Sequence, residues 1–266
     1  MAQLALVKPP ADAPARGECS DCGLITWCLP AMLDSPEVHQ LERVMRHRRA
    51  ISRNGSLFHA GDALGSLYIV HSGSVKTTIV DDNGREQVTG FSLPGEIVGI
   101  EAIDGGKYPC NVTALEDSSF CGIHYADLNR LCQGSPPLQS HIHRVMSREI
   151  TRDYGLIFML GSMDAEERMA TFLLNLVKRC PSSADAGMRL RLTMKRQDIA
   201  SYLGLRVESI SCILARFSAA GVIEVCGREI NVTNMQALEH VLADRGKTAS
   251  SLPRKPEISW TRPVIF

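Results

Sequence analysis

Three cysteines open the chemistry of this chain. Cys19, Cys22 and Cys28 form a Cys-x2-Cys-x5-Cys run in a polar, proline-bounded stretch, too crowded for all three to be core fillers. Thiolates at these separations can converge on one metal centre, with a fourth ligand supplied from elsewhere in the chain. Zinc or an iron–sulfur cluster would accept the set, and spacing alone does not choose between them.

A second constellation is the run QDIASYLGLRVESIS from Gln197 to Ser211. Ile199, Ala200 and Leu203 give one helix an apolar face, Gly204 makes a tight turn, and Ile210, Ile213 and Leu214 give the next helix its face. This pattern predicts a helix-turn-helix whose second helix enters the major groove. Glu208 and Ser211 fall on the side away from Ile210 and Leu214. A carboxylate there can accept from a cytosine amino group, and a hydroxyl can contact either kind of base edge. Lys195, Arg196 and Arg216 are expected on phosphates. Residues 189–216 hold six basic and two acidic side chains, whereas residues 51–137 hold ten acidic and five basic. The electrostatic footprint for DNA is therefore confined to one part of a chain whose 29 basic and 29 acidic residues cancel.

These side chains need elements to position them. Residues 56–124 alternate short apolar runs with turn signals (SLYIV then HSG, VKTTIV then DDNG, FSL then PGE, IVGIEAI then DGG, and SFCGIHY), which predicts an antiparallel sandwich or barrel. After Pro136 and Pro137, one long helix is expected from Leu138 to about Gly161. On it Met146, Ile150, Asp153, Ile157 and Leu160 fall at spacings of four, three, four and three. That is the seam of a two-stranded coiled coil and implies a symmetric homodimer, the alternative being a helix packed on its own β domain. Asp153 would face its own copy, and two close carboxylates repel, so pairing becomes conditional. Beyond it, Asp164 can cap a helix with Glu167 three residues on, and VIEVCGREINV reads as a wing turning at Gly227.

At 266 residues two modules are expected, and 44% hydrophobic with 22% charged residues excludes a disordered chain. No run approaches the roughly 18 apolar residues of a membrane span, and the start lacks a signal-peptide core. A cytoplasmic protein without membrane association is therefore expected. The nine cysteines then read as ligands, redox groups or buried fillers, with Cys132, Cys180 and Cys226 read as small apolar or surface residues without an assigned function.

Taken together, the cysteine run, the turn-rich β region, the long helix and the helix-turn-helix with its wing resemble the CRP/FNR superfamily over residues 18–245. The cysteines resemble its oxygen-sensing branch, the fumarate and nitrate reduction regulators. The resemblance implies an α+β fold: a cluster-binding segment (1–30), a cyclic-nucleotide-binding-type β-roll (31–137), a dimerisation helix (138–162), a winged helix-turn-helix (163–246) and a basic tail (247–266). It implies a DNA-binding transcription regulator, not an enzyme, with an oxygen-labile [4Fe-4S] cluster, a partly palindromic double-stranded DNA site of TTGAT-N4-ATCAA type and RNA polymerase as a partner. The same fold with a structural zinc or another small effector in place of the cluster, or an iron–sulfur enzyme, is the alternative. Cys19, Cys22 and Cys28 match the family's N-terminal ligands and Cys121 its distant one, with Cys110 the runner-up. Asp153 matches its dimer-interface aspartate, flanked in the seam by Ile150 and Ile157. Gly23 and Trp27 flank the ligands where the family modulates oxygen attack: the glycine leaves backbone and solvent open, while the indole offers a large apolar shield.

Two departures matter. GEIVG keeps the glutamate loop with Glu96, but Tyr108-Pro109-Cys110-Asn111 stands where cyclic-nucleotide binders carry arginine, so cyclic AMP is not expected as effector. Cys212 follows the serine where FNR-type readers have an arginine that contacts guanine. A thiol is only a weak donor, so the third base-reading position is altered.

Overall fold

The structure, a computed structural model, describes residues 19, 22–24, 28–179 and 189–243. Trp27, Cys180 and the 247–266 tail lie outside the described residues. The chain divides into two compact units, Met1–Arg148 and Glu149–Phe266.

In the first unit a 3-10 turn (Leu29–Met32) and helix α1 (Ser35–Val44) precede eight strands: β1 (Met45–Ile51), β2 (Ser56–Phe58), β3 (Ser66–Ser72), β4 (Val75–Val80), β5 (Glu86–Ser92), β6 (Ile97–Val98), β7 (Asn111–Ala114) and β8 (Ser118–His124). They form two four-stranded antiparallel sheets, ordered β1-β8-β3-β6 and β2-β7-β4-β5. Helix α2 (Tyr125–Gly134) closes the region. The expected IVGIEAI strand keeps only Ile97–Val98 in strand form, and Ile100–Ala102 coils into a 3-10 turn after Gly99, whose φ of +91° bends the chain away.

Strand alternation gives the first sheet two apolar faces. On β3, Val70 meets the other sheet in a core with Leu57, Phe58, Val75 and Val112, and on β8 Phe120 joins it. Leu67, Ile69 and Ile123 face the other way, into a second core with Leu29, Leu41 of α1 and Leu128 of α2. Neither α1 nor α2 was expected from the sequence pattern. Their apolar residues are few, and only burial on this second face gives them a partner.

Helix α3 (Pro136–Ser162) runs across the boundary between the units. It starts two residues earlier than expected, because proline lacks only a donor that the first turn does not use. Leu138, Ile142 and Val145 are buried in the helix-side core, and Met146 packs partly against it. This corrects the seam: Met146 belongs to the chain's own β unit. The rest differs, since Ile150, Tyr154, Ile157 and Phe158 are 52%, 68%, 66% and 59% exposed.

The second unit contains α4 (Ala165–Arg179), β9 (Arg189–Arg191), α5 (Arg196–Leu203), α6 (Val207–Ala219), the hairpin β10 (Ile223–Cys226) and β11 (Glu229–Val232), and α7 (Met235–Ala243). Asp164 caps α4 as expected: its Oδ1 accepts from the Glu166 and Glu167 amides, and Glu167 Oε2 accepts from the Asp164 amide at 2.7 Å. The β9 strand adds a third member to the wing sheet, ordered β10-β11-β9.

Candidate thiol centre and nucleic-acid interface

The thiol neighbourhood is built on the helix-side face of the first sheet. Cys121 pairs with Ile69 across the β8–β3 ladder, and its side chain shares a face with Ile123, opposite Phe120. Cys28 immediately precedes Leu29, which is buried in the same core, so both thiols pack against one apolar layer. The Cys22 amide donates to the Cys19 carbonyl at 3.1 Å, and the Cys28 amide to the Leu24 carbonyl at 2.9 Å. Cys19 Sγ contacts Met45 Sδ at 3.2 Å, where β1 begins.

Burial pushes the Cys28 thiol up to about 12. A hydrogen bond from the Leu29 backbone opposes this, and the neighbouring thiols of Cys121, Cys19 and Cys22 raise it further. The other three cysteines named by the family pattern therefore all lie close enough to Cys28 to act on its thiol. Among the described residues no three Cys, His, Asp or Glu side chains already stand as a cage around a single ion. By donor type, a set of four thiols fits soft-metal or iron–sulfur ligation, and Cys28, by its burial, resists ionising without a cation to compensate.

Cys110 occupies the other layer. It is buried between the sheets, and its Sγ donates to Glu101 Oε1 at 2.9 Å. Burial, reinforced by the Glu101 carboxylate, drives its pKa far upward. Around it the Tyr108-to-Asn111 stretch is committed internally: Tyr108 stacks on Phe58 at 3.7 Å and its hydroxyl donates to the Ser66 carbonyl, while Asn111 accepts from the Ala60 amide at 2.9 Å. Glu96 accepts from the Leu93 amide at 2.9 Å and so braces its own loop.

His141 escaped the sequence reading. It is 1% exposed on α3, neither ring nitrogen has a hydrogen bond of normal geometry among the described residues, and the Leu29 carbonyl is the backbone group that acts on it. Burial, with Arg148 and Arg144 adding to it, holds the imidazole below its usual range.

In the second unit, α5 ends at Gly204, whose φ of +61° supports the tight turn into α6. Ile199, Ala200, Leu203, Ile210, Ile213, Leu214 and Phe217 are buried, while Glu208, Ser211 and Cys212 are all exposed on α6. Lys195 is exposed, and its amide is held by Asp198 Oδ2 at 2.9 Å. Arg216 is exposed and paired with Glu166 Oε1 at 2.6 Å. Arg196 differs from the other two expected phosphate contacts: it is half-buried, its Nη1 is buried without a partner among the described residues, and desolvation lowers its pKa. Gly227, at a φ of +61°, turns the wing hairpin as expected.

On the exposed face of α3, Ile150, Asp153 and Ile157 lie as the spacing implies, and Tyr154 and Phe158 join them. The two aromatics follow Ile150 by four and eight residues, a helical spacing already present in the sequence.

No helix among the described residues is long and apolar enough to cross a membrane. Residues 48–135 match the cyclic nucleotide-binding domain family, and residues 167–241 the Crp-like helix-turn-helix domain family. The chain is 40% identical over 220 residues to the fumarate and nitrate reduction regulatory protein of Escherichia coli, covering 83% of this chain and 88% of that protein. It is equally identical over 220 residues to the anaerobic regulatory protein of Pasteurella multocida, covering 83% and 81%. The solved structure of FixK2 from Bradyrhizobium japonicum matches with a TM-score of 0.68 at 27% identity, covering 73% of this chain and 95% of that one.

Proposed function

Because the chain belongs to the CRP/FNR family and is a DNA-binding transcription regulator of the fumarate and nitrate reduction type, we propose that a [4Fe-4S] cluster held by Cys19, Cys22, Cys28 and Cys121 gates its dimerisation and DNA binding. The observation that carries this reading is that Cys28 and Cys121, distant in sequence, pack against the one layer that also buries the start of α3. When bound, the cluster supplies iron–thiolate bonds that oxygen can break.

The residues do the rest. Leu29 follows Cys28 directly and shares a core with Leu138, Ile142 and Val145, so holding Cys28 holds the surface on which α3 is seated. Farther along α3, Ile150, Tyr154, Ile157 and Phe158 offer an apolar face to a second copy. Asp153 stands among them, and two such carboxylates about 5 Å apart at an effective dielectric of 20 repel by about 3 kcal/mol. That is about a hundredfold in a dimerisation constant, enough to make pairing depend on a further contribution. In the dimer, two α6 helices read a partly palindromic site through Glu208, Ser211 and Cys212, with Lys195 and Arg216 on phosphates. Arg196 joins them only if its guanidinium swings outward.

Cyclic AMP is not the effector in this reading. The Tyr108-to-Asn111 stretch offers no cation to a cyclic phosphate, and its side chains are spent on internal partners. RNA polymerase is the protein partner the regulator role requires.

Anaerobic reconstitution tests the reading. Iron and sulfide in a four-to-four ratio, bleached by air together with loss of specific DNA binding, is the expected result. One zinc per chain, or DNA binding indifferent to bleaching, would overturn it.

A further inference from the structure

A short link, Met163–Asp164, separates α3 from α4, and Arg168 reaches back across it from the first turn of α4. Its Nη2 donates to the Leu160 carbonyl at 2.8 Å, its Nε to the Met163 carbonyl at 2.9 Å, and its Nη1 to the Leu203 carbonyl at 3.0 Å. Leu160 lies in the last turn of α3, and Leu203 is the last residue of α5, directly before Gly204. Carbonyls at helix C-termini lack intrahelical donors and carry partial negative charge, so a cation placed there satisfies both demands. A planar fork reaches the three from three separate nitrogens, whereas a lysine ammonium carries its three donors on one nitrogen. The packing around the fork is close, since a Cβ on Gly204 would meet Arg168 Nη1 and Leu160 Cδ2 at 3.4 Å each. Two residues earlier, Glu166 holds Arg216 of α6. The first turn of α4 thus touches the end of α3, the end of α5 and the recognition helix.

We infer that Arg168 is a positioning residue that fixes the helix-turn-helix to the end of the pairing helix and thereby sets the half-site spacing the dimer accepts. The inference rests on the dimeric DNA-binding reading above. A palindromic site is bound tightly only if both recognition helices are presented at one fixed separation, about one helical turn of DNA. If the guanidinium were removed, each helix-turn-helix would keep its own core of Ile199, Leu203, Ile210 and Leu214. What it would lose is the hydrogen-bonded tie that joins the C-terminal turn of α3 and the link to the end of α5.

The experiment compares the parent, Arg168→Lys and Arg168→Ala, each as anaerobically reconstituted full-length protein. Binding is measured to three duplexes: the selected palindrome, the same palindrome with one base pair added between half-sites, and a single half-site. The expected result is that the parent's preference for its natural spacing shrinks about tenfold in Arg168→Ala through loss of two-site avidity. Half-site affinity and sedimentation should be unchanged, the melting temperature should fall modestly as three carbonyls lose their donor, and Arg168→Lys should fall between. Variants that keep the parent's spacing preference would overturn the inference. So would half-site affinity that falls in step with palindrome affinity, since that is the mark of a damaged fold. A parent that binds palindrome and half-site equally would instead remove the dimeric reading beneath it.

Discussion

In the first unit Cys28 and Cys121 come from distant parts of the chain and pack on one layer, because β8 turns Cys121 toward the core in which Leu29 is buried. In the second unit Glu208, Ser211 and Cys212 lie within five consecutive residues of one helix, facing outward because Ile210, Ile213 and Leu214 face inward. The first arrangement depends on tertiary packing between distant segments; the second depends mainly on helical periodicity. Substitutions among the thiols should therefore change iron and association while leaving base preference alone. Substitutions on α6 should do the reverse.

The largest break in that comparison would come from exchanging two thiols of the same β-roll. Cys121→Ser is expected to lose the cluster outright, whereas Cys110→Ser, on the opposite face of the layer and bonded to Glu101, should keep the full iron complement. Iron counting after anaerobic reconstitution decides it, and the reverse pattern would refute the ligand set.

Next in size is Asp153→Ala. Relief of the carboxylate pair should raise the dimerisation constant about a hundredfold, so this variant should be dimeric and bind DNA in air without iron. Sedimentation in air that shows the same monomer fraction as the parent would remove Asp153 from the switch.

On the reading side, Cys212→Arg should raise discrimination for a guanine at the facing position by about 1–3 kcal/mol, with iron content unchanged. Equal tightening on every sequence would mean that only a phosphate contact had been added. Glu208→Ala should relax preference at a neighbouring base pair, read out by binding-site selection from a random DNA library.

The smallest effect concerns pH. His141 has its pKa lowered from an ordinary 6.5, first by burial and then by Arg148 and Arg144, while the Leu29 carbonyl acts the other way. The unfolded chain therefore takes up a proton below about 6.5 that the folded chain refuses. This group's contribution is intact above that pH and is lost as pH falls toward the lowered value. Urea unfolding of the parent should weaken across that window more steeply than unfolding of His141→Gln. Parallel curves would show that His141 does not titrate with folding.

Where a side chain's role follows from its neighbours in sequence, the chain was readable. Asp164 and Glu167 cap α4 as their three-residue spacing predicts, and Gly204 and Gly227 turn where a left-handed residue is needed. Where the role comes from packing, it was not. Met146 has the right spacing for a dimer seam but lies over the helix-side core of its own unit. Arg196 reads as a surface cation, yet its Nη1 is buried. The three carbonyls that Arg168 joins belong to residues with apolar side chains, and no pattern of residue types marks a backbone oxygen.

The most direct test of the central claim measures association and DNA binding of the unaltered protein in one titration. Sedimentation is run on the same preparation before and after exposure to air, with binding to the selected palindrome followed in parallel. The account predicts a dimer that binds specifically while iron is retained, and a largely monomeric, non-binding protein once it is bleached. A protein equally dimeric in both conditions, with DNA binding still lost on bleaching, would contradict it and place the signal in a rearrangement within a standing dimer.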